Sequence, residues 1–333
     1  MSRPRAMVLD SPAPAHTSPL VERSRESREP APDEILVGVR ACGVCRTDLQ
    51  LVEGDLALHR HPIVPGHQVV GEVLAAGTEA GHVAGERVGV TWLAGACGEC
   101  DHCEEGRENL CLRATFHGWD HDGGYADEML VSGRFAFTLD SARPDDEIAP
   151  LLCAGVIGHR ALKLTGVGAG ERLGLYGFGS SASLVLQFAI AAGVEVHVVT
   201  RNPAELERAL ALGAVSARTY GEVPPPELHA AITFAPVGSV VVEALGSLRR
   251  GGTVVVNAIH LDEVPAFDYD LLWHERVVRS VANVTRTDIR ELLELAAAHP
   301  PSVEPSIYRL TDANRALVDL ADGTISGPGV LIP

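Results

Sequence analysis

Four cysteines on one polar, glycine-containing stretch constrain this chain more than any other feature. Their spacing is C-x2-C-x2-C-x7-C, and they are Cys97, Cys100, Cys103 and Cys111. Free thiols or a local disulfide pair are the alternatives, but this spacing is typical of a metal site and not of a disulfide framework. Four thiolates close a tetrahedral Zn²⁺ site and leave no position for a substrate. We therefore predict a structural zinc lobe here, outside the hydrophobic core.

Length and charge narrow the class of protein. With 333 residues, the chain is long enough for about two domains with substantial cores. A formal net charge of −17 argues against nucleic acid and anionic membrane surfaces as partners. We expect no signal peptide, because the first residues lack an apolar h-region, and no membrane span, because no apolar run is long enough. Because most of the cysteines are explained as metal ligands, we expect a reducing, cytoplasmic location. We also expect a small-molecule substrate.

The first part of the chain, residues 1–150, has the rhythm of a β domain. Short apolar runs are separated by Gly and Pro turns, which predicts an all-β or barrel-like domain. The predicted strands are Arg5–Leu9, Glu34–Val39, Val69–Leu74 and Gly85–Val90.

From about residue 151 to residue 283, predicted strands and helices alternate. Apolar strands between amphipathic helices indicate a doubly wound α/β domain with a parallel sheet covered on both faces. The predicted strands are Arg172–Tyr176, Val194–Thr200, Ala230–Phe234, 252–259 and Val277–Ala282, and the predicted helices are Ser181–Ala192, Pro203–Leu212 and Val237–Leu248. The tail, 284–333, is mixed and is expected to complete the first domain. A surface loop is predicted at Pro224, Pro225 and Pro226.

A glycine fingerprint of the G-x-G-x-x-A type follows the strand Arg172–Tyr176 and opens a helix. Gly177 permits the tight turn, Gly179 allows a pyrophosphate to approach the backbone, and Ala182 lets the helix pack closely on the sheet. With Ser180 and Ser181, the helix N-terminus offers free N–H groups to an anion. A glycine-rich turn with no ligand is the alternative. We predict a dinucleotide site.

The end of the next strand indicates which nicotinamide cofactor binds. A site for NAD has an Asp or Glu there for the ribose 2′-hydroxyl, whereas this chain has Thr200 and Arg201. These side chains can bind a 2′-phosphate that a carboxylate would repel. We predict that NADP(H) is preferred over NAD(H), although Arg201 could instead be a solvated surface side chain.

Five features together resemble one known family. They are Cys45-Arg46-Thr47-Asp48, Gly66-His67, the four-cysteine lobe, the segment 150–155 and the glycine fingerprint. Their order and separation are similar to those of the zinc-containing alcohol dehydrogenases of the medium-chain dehydrogenase/reductase family. The segments 259–269 and 272–276 resemble a bacterial subgroup. The resemblance implies a GroES-like catalytic domain beside a Rossmann domain, and a homodimer or homotetramer in which the strand 252–259 pairs across a two-fold axis.

The resemblance also implies a catalytic zinc ion held by Cys45, His67 and Cys153, which gives two zinc ions per chain. Three protein ligands leave a fourth position for water or the substrate oxygen. Cys42 lies three residues before Cys45, but the family places the ligand immediately before the Arg-Thr pair, so Cys42 is expected to be a packed core residue. A buried core thiol is the alternative for Cys153.

The resemblance assigns roles to the residues after Cys45. Thr47 hydrogen-bonds the alcohol oxygen and begins to move its proton, and Asp48 orients His67 by accepting its other ring N–H. A helix cap is the alternative for each. Arg46 is placed against the cofactor pyrophosphate, or is a surface charge.

Three positions depart from the family pattern. Gln68 replaces the usual Glu after the ligand histidine, and a neutral amide there is expected to make the zinc more electrophilic and to alter turnover. Gln50 replaces a histidine that ends the proton relay in many relatives. Pro328 stands where relatives often place an arginine on the pyrophosphate.

The substrate pocket is assigned to Leu56, Trp92 and Trp119, with packing between domains as the alternative for each. An apolar pocket favours a medium-chain or aromatic alcohol. The expected reaction is reversible hydride transfer between an alcohol and the nicotinamide. A reductase with little alcohol oxidation remains open. So does a zinc-stabilised protein that binds nucleotide or senses thiol oxidation with little turnover.

Overall fold

The structure is a computed structural model that describes residues 3–140, 142–222, 227–258, 261–325 and 327–333. Its described residues form two compact units. The first contains 1–153, 285–290 and 303–333, and the second contains 154–284 and 291–302. The tail that begins at residue 284 is therefore divided, because 291–302 packs with the second unit. The predicted loop at Pro224–Pro226 and the residues Ile259 and His260 lie outside the described residues.

The strands, in chain order, are β1 (Arg5–Leu9), β2 (Leu20–Ser24), β3 (Glu34–Val44), β4 (Gln68–Ala76), β5 (Arg87–Val90), β6 (Leu93–Gly95), β7 (Thr115–Phe116), β8 (Glu128–Ser132), β9 (Ala136–Thr138), β10 (Arg172–Tyr176), β11 (Glu195–Val199), β12 (Ser216–Arg218), β13 (Leu228–Thr233), β14 (Leu248–Val256), β15 (Val277–Ser280), β16 (Ser306–Arg309) and β17 (Gly329–Ile332). The α-helices are α1 (Arg46–Glu53), α2 (Asp101–Glu104), α3 (Asp145–Ile148), α4 (Ala154–Thr165), α5 (Ser180–Ala191), α6 (Pro203–Ala211), α7 (Gly238–Gly246), α8 (Arg286–Ala298) and α9 (Ala313–Ala321).

The first unit is built on β3, which is the long central strand of its main sheet. Among the described residues the order is β16-β17-β3-β4-β5-β9, and β8 also pairs with β3. The β3–β4 pair is antiparallel and contains two register irregularities, which increase local twist. Apolar side chains from these strands and from β1, α1 and α9 form one buried core. This β-rich unit confirms the predicted GroES-like fold class.

The second unit is a sheet of parallel strands in the order β12-β11-β10-β13-β14-β15, within the described part of the chain. The segments at its centre, such as β13 and the end of β14, are rich in Val, Ile, Leu and Ala, because helices cover both faces. Two separate buried clusters line those faces. The doubly wound class is confirmed, and the predicted strand Arg172–Tyr176 matches β10 at both ends.

One expectation about assembly is wrong. The strand predicted over 252–259 was expected to pair across a two-fold axis, but β14 is hydrogen-bonded to β13 on one side and to β15 on the other. A strand with neighbours on both sides has no free edge to offer to another chain. Within the described part of the chain, the edges of this sheet are β12 and β15.

No single helix among the described residues is long and apolar enough to cross a membrane. One bent pair of helical segments, Asp145–Leu152 and Ala154–Thr165, has the length and composition of a membrane span, but qualifies on no other ground.

Candidate active site

The pairing of β3 with β4 brings the first two predicted zinc ligands together. In the antiparallel register Gly43 lies opposite Gln68. Cys45 follows the end of β3 and His67 precedes the start of β4, so both emerge at the same end of the strand pair. The Sγ atom of Cys45 lies 3.4 Å from Nε2 of His67.

Cys153 completes the cluster from a different element. It follows a 3₁₀-helix, Ala149–Leu152, whose residues are all buried in the first unit. Leu152 packs against β5, where a Cβ atom added at Gly89 would lie 3.0 Å from its side chain. The ligand atoms of Cys45, His67 and Cys153 all lie within 4.8 Å of one another. The three residues that the sequence assigned to one ion are therefore brought together.

The spacing and chemistry of this cluster fit a zinc ion. A tetrahedral Zn²⁺ with Zn–S of about 2.3 Å and Zn–N of about 2.0 Å separates a sulfur and a nitrogen ligand by about 3.5 Å. The hydrogen bond from Cys153, with help from His67, lowers the pKa of Cys45 well below its usual range. Burial works against an imidazolium, but the Cys45 thiolate and the Asp48 carboxylate outweigh it and raise the pKa of His67. A cation is favoured where negative charge is this concentrated.

Asp48 is a buried carboxylate that contacts this cluster. It is only 2% exposed, and its Oδ1 lies 3.2 Å from Nδ1 of His67 and accepts a hydrogen bond from the backbone N–H of Gly66. Its Oδ2 accepts from the backbone N–H of Cys45 at 2.9 Å. The roles of ring orientation and helix capping were treated as alternatives, yet the geometry has both. A carboxylate on Nδ1 leaves Nε2 of His67 free as a metal ligand.

Cys42 and Gln68 lie behind the cluster. Cys42 is fully buried and outside the ligand group; its sulfur would lie 2.8 Å from a Cβ atom at Gly66. Gly66 has φ +98°, so only glycine suits its backbone and its space. Gln68 is buried, and its Nε2 has no partner among the described residues. An orphaned buried donor costs stability, so Gln68 is unfavourable for packing at this position.

The four-cysteine lobe forms as a compact loop around α2. The Sγ atom of Cys97 lies 3.8 Å from that of Cys103 and 3.5 Å from that of Cys111. All four sulfurs lie within 4.8 Å of one another. Sulfurs around a tetrahedral Zn²⁺ lie about 3.8 Å apart, so the lobe fits that ion. The backbone N–H of Glu99 is the main cause that lowers the pKa of Cys97 to about 6.

Glu108 fixes the lobe to the rest of the first unit. Its carboxylate is almost fully buried and accepts hydrogen bonds from the backbone N–H and from Nε of Arg286, at 2.9 and 3.1 Å. Arg286 begins α8 and lies over the ring of Phe135 at 5.4 Å. Sequence reasoning missed this contact, because the two residues are far apart in the chain.

Two of the predicted pocket residues, Trp92 and Trp119, belong to a row of aromatic rings that starts at His67. The ring of Trp92 lies 6.0 Å from that of His67, and Trp92 is 4.6 Å from Phe116 and 6.0 Å from Trp119. His59 stacks on Trp119 at 3.8 Å. Leu56 is half-buried and packs against the core. Phe116 and His59 were not predicted as pocket residues, although an aromatic and a histidine in these loops were visible signals.

Beneath Trp92 lies a buried histidine that sequence reasoning also missed. His117 is 2% exposed; its Nδ1 lies 2.8 Å from the carbonyl oxygen of Thr91, and its backbone N–H donates to that of Trp92. Burial lowers the pKa of His117 to about 4. A neutral imidazole therefore fixes the backbone that carries Trp92.

The glycine fingerprint adopts the predicted strand–turn–helix. Gly177 has φ +89°, and Gly179 has open space where a side chain would be. Ala182 is fully buried, and α5 begins at Ser180, with Ser181 in its first turn. The helix N-terminus is thus accessible to an anion. Arg46 is exposed at the start of α1, with the buried Thr47 next to it.

At the end of β11, Thr200 is buried and Arg201 is exposed. The hydroxyl of Thr200 donates a hydrogen bond to Glu205 on α6. Glu205 was not predicted as a residue of the cofactor site. It places a carboxylate at the end of β11, where the sequence had indicated none. Tyr220 lies in the same charged environment, where burial is the main cause that raises its pKa to about 12.

Comparison with known proteins gives matches over both units. Residues 31–141 match the family model "Alcohol dehydrogenase GroES-like domain", and residues 182–298 match "Zinc-binding dehydrogenase". The chain is 48% identical to "Probable alcohol dehydrogenase AdhA" of Mycobacterium tuberculosis (strain CDC 1551 / Oshkosh), covering 98% of this chain and 96% of that protein. It is 32% identical to an alcohol dehydrogenase of Geobacillus stearothermophilus, covering 94% and 96%.

A solved structure agrees with these matches. Cinnamyl alcohol dehydrogenase SbCAD4 from Sorghum bicolor (L.) Moench superimposes with a TM-score of 0.89 at 25% identity, covering 99% of this chain and 97% of that chain. The chain therefore belongs to the zinc-containing alcohol dehydrogenases of the medium-chain dehydrogenase/reductase family, and it is an oxidoreductase of alcohols and their carbonyl counterparts.

Proposed function

We propose that the protein interconverts alcohols and aldehydes or ketones by hydride transfer with NADP(H), with one zinc ion at Cys45, His67 and Cys153 and a structural zinc ion at the four-cysteine lobe. The convergence of three ligand atoms beside the buried Asp48 carries this proposal. A bound zinc ion supplies Lewis-acid polarisation of the substrate oxygen.

The chain's own residues supply the proton path and the binding surface. Thr47, in the buried first turn of α1, hydrogen-bonds the alcohol oxygen and passes its proton on. Gln50 lies one turn further along the same helix, and its buried Oε1 has no partner among the described residues. Because an amide does not titrate, Gln50 does not take up the proton, which leaves Thr47 through another group or through water. Trp92 and Trp119 hold the apolar part of the substrate.

The cofactor preference rests on the end of β11. Arg201 is exposed there and can pair with a 2′-phosphate. Glu205 opposes that preference through its charge, but it already accepts a hydrogen bond from Thr200. We propose that Arg201 outweighs it. We also propose that the protein is a cytoplasmic homodimer or homotetramer with a small-molecule substrate, without nucleic-acid or membrane partners.

Metal analysis, cofactor kinetics and one variant test this function. Metal analysis should give two zinc ions per chain. With a panel of aldehydes as substrates, kcat/KM for NADPH should be higher than kcat/KM for NADH. Arg201→Ala should lower the NADPH-to-NADH ratio of kcat/KM about tenfold or more, because a charge-assisted contact to the 2′-phosphate is lost. One zinc ion per chain without turnover would instead indicate a nucleotide-binding protein.

A further inference from the structure

The outer end of the aromatic row carries a hydrogen-bonding pair. We define the aromatic row as Trp92, Phe116, Trp119 and His59. Nδ1 of His59 lies 2.7 Å from Oδ1 of Asp120, and Oδ2 of Asp120 accepts a hydrogen bond from the backbone N–H of Phe116 at 2.8 Å. Both carboxylate oxygens are therefore engaged, and Asp120 joins the loop of His59 to the loop of Trp119.

This arrangement fixes the tautomer of His59. A carboxylate oxygen can only accept, so the proton of a neutral His59 ring lies on Nδ1. Nε2 then carries a lone pair and can only accept a hydrogen bond. The His59 side chain is 49% exposed, so a ligand has access to this side chain. Trp119 is held as well, because its Nε1 donates to the carbonyl oxygen of Ala57 at 2.8 Å.

The members of the aromatic row keep part of their surface exposed. Trp92, Phe116 and Trp119 are each only partly buried, and successive ring centres from His67 through Trp92 and Trp119 to His59 are 6.0, 6.0 and 3.8 Å apart. A flat aryl group can lie against such rings in an offset stack. A substrate whose oxygen is at the zinc cluster and whose aryl group follows the row therefore extends towards His59.

We propose that His59 is a specificity-determining residue that accepts a hydrogen bond from a hydroxyl group at the far end of an elongated aryl alcohol. The proposal rests on the proposed function and names its substrate class: aryl alcohols and aldehydes with a distal phenolic hydroxyl. A distal methoxy group has no proton to donate. A distal carboxylate is disfavoured by Asp120.

The test compares 4-hydroxycinnamyl with 4-methoxycinnamyl alcohol. Both substituents donate electrons to the ring, so most of any difference in kcat/KM reports recognition. The wild-type protein should favour the hydroxy compound about five- to tenfold, which is the range expected for one hydrogen bond. In His59→Phe, which keeps a ring on Trp119 but has no acceptor, the preference should fall to about one. His59→Gln, whose amide oxygen can accept, should retain part of it.

A matched control is His16→Phe. His16 is another exposed histidine next to an aspartate, with Nε2 3.4 Å from Asp322, and its replacement should leave the preference unchanged. If His59→Phe lowers kcat/KM equally for both alcohols, His59 only ties the loops together and the proposal is wrong; a wild-type ratio near one also overturns it. Absence of NADP-linked or NAD-linked turnover with benzyl alcohol and with both test alcohols would contradict the proposed function itself.

Discussion

At the scale of single residues, the cluster of Cys45, His67 and Cys153 is set by its supports. Asp48 accepts from the backbone of Cys45 and of Gly66 while it faces the His67 ring. One carboxylate thus positions both ligand-bearing segments. Gln68 follows His67 and leaves a buried Nε2 without a partner among the described residues. Because the amide is neutral, the negative charge near the cluster comes from Asp48 and the thiolates.

His117 gives a prediction about acid stability. Its pKa is about 4 in the folded protein and about 6.5 when exposed. The unfolded chain therefore binds more protons between pH 6.5 and pH 4, so the free energy of unfolding falls as the pH falls through this range. These two pKa values imply that the free energy of unfolding falls by about 2 kcal/mol between pH 7 and pH 5.

His117→Gln, which does not titrate, should remove most of that loss. Denaturant unfolding at pH 7 and pH 5 measures it as the difference between the two free energies. His16→Gln is the control, because His16 is exposed and its replacement should leave the pH dependence as it is. Equal pH dependence in the His117→Gln and wild-type proteins would show that the buried imidazole is not the cause.

At the scale of elements, the sequence predicted those helices and strands that a local residue pattern defines. Apolar strands such as β10 and amphipathic helices such as α6 were found within one or two residues, because periodicity and turn residues define them. Strand β2 was missed, since most of its residues are exposed and its segment is polar. The contacts of Glu108 with Arg286 and of His59 with Asp120 could not be predicted, because no local pattern indicates which distant residues meet.

The structure of the four-cysteine lobe depends on the four cysteines that converge in it. We expect Cys103→Ala to lower the zinc content from two ions per chain to one and to lower Tm, because three thiolates no longer close the structural site. The cluster at Cys45 lies in other elements and should keep its ion. Metal analysis after gel filtration, together with thermal unfolding, measures both effects.

Cys42→Ala is the matched control for this experiment. Cys42 is buried behind Gly66 and is not in either group of converging ligands, so its replacement should leave two zinc ions per chain. Loss of one ion from Cys42→Ala would overturn the assignment of Cys45 as the ligand. Two ions in Cys103→Ala would contradict the structural zinc site.

At the scale of the whole molecule, the second unit leaves an edge strand that a separate chain can cover. Every residue of β15 is exposed, and Val277 and Val278 are 45% and 39% exposed. Tyr269 and Trp273 add exposed aromatic surface just before the strand. A flat apolar edge with free backbone N–H and C=O groups is a template for pairing. Two copies related by a two-fold axis would pair their β15 strands antiparallel and extend the sheet.

We therefore predict a homodimer or a larger even oligomer in solution that depends on β15. The double variant Val277→Lys and Val278→Lys should be monomeric, because pairing would bring four lysines together and bury part of their charge. Sedimentation velocity measures this directly, and the far-UV circular dichroism spectrum shows whether the variant is folded. The double variant Val21→Lys and Val83→Lys adds the same charge at exposed positions of the first unit and should remain oligomeric. A monomeric wild-type protein, or an oligomer that survives lysines on β15, would mean that this edge is not the site of self-association.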